Sequence, residues 1–160
     1  MEEKIRTNVL RAGEYMMYSI WLQNQLADLI IFHRSRPILE SFLVNPDVIP
    51  PLLQAERLLF LEKSFTQIKA EFEQEFEHAL TDQAKADLHT VSFLRNALEH
   101  ARVSLTISYV TYKSNTGDET QLDFSDDKVY FDNFGAIQRL DIDFLDKVCE
   151  KIGVPHGKIR

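Results

Sequence analysis

From Lys4 to His33 the chain carries no proline and one glycine, Gly13, while apolar side chains return at helical spacing. Leu22, Leu26 and Leu29 fall on one side, with Tyr15, Tyr18 and Trp21 beside them. This pattern predicts one long helix, and with it a helical bundle as the frame for the rest of the chain. Pro37, Asn45-Pro46 and Pro50-Pro51 punctuate residues 34–51, which read as a connection with one helical turn around Ile38 to Leu43. A second helix is expected from about Pro51 to about Leu80, with proline suited to its first turn. Leu53, Leu58, Leu61, Phe65, Ile68, Phe72 and Phe76 mark its apolar face, and Glu71, Glu73, Glu75 and Glu77 its solvated acidic side. Thr81 or Asp82 caps a third helix that runs to about Tyr112, against the β-branched cluster Val103, Thr106, Ile107, Val110 and Thr111 near its end. Gln121 to Phe124 and Lys128 to Phe131 flank Ser125-Asp126-Asp127 as a small β-hairpin. Asp141 reads as the cap of a last helix, Ile142 to Ile152, closed by Gly153 and Pro155. The expected fold class is therefore mainly α: one domain over residues 1–160, a bundle of about four helices with a small C-terminal hairpin. Its core bundle covers about 1–112, and the hairpin and last helix about 118–153.

Charge and cysteine content narrow the function classes. The 160 residues carry a net charge of −7, which argues against a broad, sequence-independent grip on nucleic-acid phosphates; any RNA contact must be local. The only cysteine, Cys149, has no partner within the chain for a disulfide and reads as a buried residue of the last helix. Nothing at the N-terminus reads as a basic segment followed by an apolar one, and the longest apolar runs, such as Leu29-Ile30-Ile31-Phe32, fall far short of a membrane span. A cytoplasmic setting is expected, with no membrane partner. His78 with Glu73, Glu75 or Glu77 lacks a defined ligand spacing, so neither metal nor cofactor is expected.

The chemistry-bearing residues sit on the third helix. On an ideal helix Leu88, Val91, Leu94, Leu98, Ala101 and Leu105 share an apolar face, while His89, Ser92, Asn96, His100 and Val103 line the opposite one. That polar face is either a seam inside the bundle or the wall of a cleft. The run Arg95-Asn96-Ala97-Leu98-Glu99-His100 groups a cation at the edge of the apolar face with an amide and an imidazole of the polar one, the parts needed to cut a phosphodiester without metal. RNA supplies its own nucleophile, the 2′-hydroxyl. The protein then has only to move protons, a task for His100, and to stabilise charge on phosphorus, a task for Arg95. Asn96, one turn before His100, would orient the imidazole or a phosphate. Ser92, Glu99 and Arg102 flank these three as candidate binding residues.

This run resembles the motif of the HEPN superfamily of helical domains, whose catalytic members carry arginine, four to six residues, then histidine, with Asn, Asp or His directly after the arginine. The resemblance implies a metal-independent endoribonuclease acting as a homodimer, two motifs forming one composite cleft. It also implies roles as a toxin or in antiviral defence, with an antitoxin or other protein partner. Where some members have a tyrosine two residues after the histidine, used for nucleotidylation, this chain has Arg102, so that regulation is not expected. Positions five apart on a straight helix point about 140° from each other, so one copy alone does not close a site between Arg95 and His100. Two alternatives stay open. One is a non-catalytic module of the same fold that binds a protein partner or nucleotide. In the other, Asn96 and His100 form a satisfied polar pair inside the bundle while Arg95 pairs with Glu99 on the surface.

Overall fold

The computed structural model describes residues 2–103, 110–113 and 117–157. The fold is mainly α. Helix α1 runs from Glu2 to Arg34, as its uninterrupted period predicts, with Glu2 and Glu3 in its first turn and His33 and Arg34 in its last, both matching the helix dipole. It is the axis of the molecule: Tyr15, Leu22, Leu26 and Ile30 are completely buried, and every other α-helix touches it. Burying each such side chain stabilises the fold by roughly 1.5–3 kcal/mol.

The connection expected after α1 is largely a second helix, α2, Arg36–Val44. Ser35 caps it and Pro37 lies in its first turn, where no backbone donor is needed, so Ile38 and Leu39 are buried. The helix expected over 51–80 is two helices, α3 (Pro51–Leu61) and α4 (Phe65–Glu75). The break is a capping box: the Ser64 side chain accepts from the Gln67 N–H, and the Gln67 side chain accepts from the Ser64 N–H. These reciprocal bonds satisfy the donors of a new N-terminus even though the apolar period continues across it.

Helix α5, Asp82–Glu99, starts at its Thr81 cap as expected and buries Leu88, Val91 and Leu94. It does not reach Tyr112. Of the β-branched cluster Val103, Val110 and Thr111 are strand: three short antiparallel strands follow in the order β1 (Arg102–Val103), β2 (Val110–Lys113), β3 (Glu119–Leu122). Arg102 pairs with Thr111, and Thr111 with Gln121. Thr106, Ile107 and Leu105 lie outside the described residues.

The hairpin expected between 121–124 and 128–131 is also corrected. Gln121 and Leu122 are strand, but Lys128 to Phe131 open α6, Asp127–Arg139. Asp126 accepts from the N–H groups of Lys128 and Val129, so the acidic dipeptide is a helix cap, a role the same residue types fill as readily as a turn. Nor does Asp141 cap the last helix. It lies in a π-helical segment, Leu140–Leu145, that joins α6 to α7, Asp146–Ile152, and it is buried against His156, whose Nε2 lies 2.6 Å from Asp141 Oδ1. Gly153, at φ 88°, closes α7 in the left-handed conformation that favours glycine.

Polar ties fasten the C-terminal half to α1. Asn8, itself buried, accepts from the Phe124 N–H at 2.9 Å, and Arg11 donates to the Phe124 carbonyl at 2.8 Å. Arg139 of α6 forks onto buried Asp87 of α5 at 3.0 and 2.9 Å, a bidentate pair that also holds the guanidinium more firmly protonated. No helix among the described residues is long and apolar enough to cross a membrane.

Candidate functional site

The polar face of α5 looks outward. His89, Asn96 and His100 are exposed, so Asn96 and His100 are not a polar pair buried in the bundle. The N-terminal end of α4 lies alongside: Ser92 Oγ is 3.3 Å from Thr66 Oγ1, and the Arg95 guanidinium stands 5.6 Å from the centre of the Phe65 ring.

Arg95 is only 12% exposed and is well held. Its Nε donates to Glu99 Oε1 at 3.2 Å, the ion pair expected one turn along, and its Nη1 donates to Gln23 Oε1 of α1. Gln23 in turn donates to the Lys63 carbonyl at 3.3 Å, so one amide joins α1, the α3–α4 junction and α5. Gln23 is the site residue that sequence reasoning misses. It lies 72 positions from Arg95, with no local signal linking the two. Two of the five guanidinium N–H groups are thus committed to neighbours among the described residues.

The motif is not mid-helix. His100 is the C-cap of α5, at φ −111° and ψ 9°, its N–H turned back to the Ala97 and Leu98 carbonyls. Its imidazole has no hydrogen-bond partner among the described residues, nor has the Asn96 amide. Arg95 is directed into the protein and His100 into solvent, and within one copy no hydrogen bond among the described residues joins them. Of the candidate binding residues, Ser92 is tied to Thr66 and Glu99 to Arg95; Arg102 stands in β1, its side chain outside the described residues. Beside Gln23 a groove of about 380 Å³ is lined by Trp21, Asn24, Gln54, Arg57 and Phe60, in which Arg57 forks onto Asp28 at 2.9 and 2.8 Å.

The acidic side of α4 is less solvated than its pattern suggests. Glu73 pairs with Lys69, Glu71 with Arg34 and Lys63, and Glu75 with Arg34 and His33. Burial pushes the Glu71 and Glu75 carboxyls up, but hydrogen bonds and charge from Lys63, Arg34 and His33 outweigh it and hold both below the usual carboxylate range. Cys149 is buried in α7, and burial pushes its thiol up to about 11, far from a nucleophile's range.

Comparison with protein-family models, curated proteins and solved structures finds no match in any of the three.

Proposed function

We propose that this chain is a metal-independent endoribonuclease of the HEPN type, a toxin or defence protein that cleaves RNA by attack of its own 2′-hydroxyl. The observation that carries this reading is the exposed pair Asn96 and His100 at the end of α5, polar groups that no described residue engages, one turn from a buried-edge arginine. A fold does not need an imidazole there; general acid–base catalysis does. His100 acts as the acid or base, Arg95 stabilises phosphate charge with its remaining N–H groups, and Asn96 orients.

The site is completed by a second copy. The outer face of α3 supports this: Leu52, Leu58 and Leu59, exposed by 67%, 52% and 57%, line up with exposed Ala55 on the side away from buried Leu53 and Phe60. A helix apolar on both sides is one that packs on both sides. Since α3 leads through Lys63 to Phe65, its C-terminal end runs into the residues that hold Arg95. A dimer across that face sets Arg95 of one copy beside His100 of the other.

A second reading, a non-catalytic module of the same fold that binds a protein partner or nucleotide, is favoured by the internal engagement of Arg95 with Gln23 and Glu99. Cleavage of a labelled structured RNA in EDTA decides between them. The ribonuclease reading expects cyclic-phosphate ends from wild type and loss of cleavage in His100→Ala and Arg95→Ala. Dimerisation without cleavage of any RNA by wild type would favour the binding module.

A further inference from the structure

A second concave site lies at the other end of α4, ten residues or about 15 Å of helix from Phe65 and the motif. There the ends of α1 and α4, the start of α2 and helix α7 enclose a pocket of about 430 Å³, within the range of small-molecule sites. Its base is apolar: Phe32, Leu39, Phe76 and Val148 are all at least nine-tenths buried. Its edge is cationic, which stands out in a chain of net charge −7. Arg36 and Lys151 line it, with His33 and His78, against one carboxylate, Glu75, that Arg34 and His33 already engage.

Most of this edge is available. Lys151 and His78 have no hydrogen-bond or ion-pair partner among the described residues, and Arg36 offers only its Nε to Glu40, at 3.1 Å, in a pair so exposed that it is worth little. An apolar base under an unneutralised cationic edge suits a ligand of matching polarity, because the apolar part is driven in by burial and the charged part gains charge-assisted hydrogen bonds.

We propose that this pocket binds a small organic anion, its aromatic or branched apolar body seated on Phe32, Leu39 and Phe76 and its carboxylate or phosphate held by Arg36 and Lys151. The site is independent of the ribonuclease reading, since it shares no residue with the motif or its neighbours.

The test is a titration of the isotopically labelled full chain with naphthoate, phenyl phosphate and the uncharged naphthamide, followed by amide chemical shifts. Saturable shifts are expected at the ends of α1 and α4 and in α7. Naphthoate or phenyl phosphate should bind at least roughly tenfold more tightly than naphthamide, and the Arg36→Glu/Lys151→Glu double variant should weaken the anion by a similar factor, about 1.4 kcal/mol. Both substituted side chains are exposed, so the variant should melt with wild type. Absence of saturable shifts with either anion overturns the proposal. So does an affinity that ignores either the ligand's charge, which would make the pocket an apolar crevice only, or the double variant, which would mean that Arg36 and Lys151 do not hold the anion.

Discussion

Arg95 and His100 answer to different demands. Arg95 joins three parts of the chain through Gln23, Glu99 and Phe65, whereas the His100 imidazole makes no hydrogen bond, ion pair or ring contact with the described residues. Their alanine variants should therefore separate folding from function. Arg95→Ala removes two hydrogen bonds and a cation–π contact and leaves Gln23 short of a partner, a loss of about 1–2 kcal/mol. For a chain of this size that lowers the melting temperature by roughly 3–6 °C. His100→Ala should stay within about 0.5 kcal/mol of wild type, as exposed substitutions do. Thermal melts of the two purified variants check this; an equal loss in both would mean that His100 serves the fold. The motif is legible in the sequence because it is contiguous. Its pairing with Glu99 one turn along is legible too, but its bond to Gln23 is not, because side-chain pairing between α1 and α5 leaves no trace in local spacing.

At the scale of elements, periodicity identifies where helices lie better than where they stop. Helix α1 is legible end to end since nothing interrupts it. The break before α4 is written in Ser64 and Gln67, but the apolar period running from Leu53 to Phe76 masks it; of that expected face Leu53, Phe65, Ile68, Phe72 and Phe76 are buried, whereas Leu58 and Leu61 of α3 are exposed. Helix α5 ends without glycine or proline, and only the β-branched residues beyond it hint at strand. Asp126-Asp127 fits a turn and a cap equally well; packing of Tyr130 against Phe124, rings 5.4 Å apart, decides for the helix. The ion network between α1 and α4 has its own signature. Because the Glu71 and Glu75 pKa values lie below the ordinary 4.5 in the folded state, their contribution is fully present above that value and is lost as pH falls through the folded values. Glu71→Gln/Glu75→Gln should thus melt below wild type near pH 7, with the gap closing below about pH 4. A gap that persists unchanged in acid would mean that the pairs do not tie α1 to α4.

For the whole molecule, the proposed ribonuclease requires that the composite cleft pair Arg95 of one copy with His100 of the other, across the outer face of α3. The geometry of one copy motivates it, with Arg95 directed inward, His100 outward and Leu52, Leu58 and Leu59 of α3 uncovered. Mixing two inactive variants tests it most directly. Arg95→Ala and His100→Ala are each purified, combined in equal amounts, unfolded and refolded together, and assayed for RNA cleavage in EDTA. Random pairing makes half of the dimers mixed, and the cleft of each mixed dimer holds one intact Arg95–His100 pair of two, so recovery to about a quarter of wild-type activity is predicted. The same mixture carrying Leu58→Glu and Leu59→Glu in both chains should recover nothing. A mixture as inactive as its components, while wild type put through the same refolding cleaves, would contradict the shared cleft.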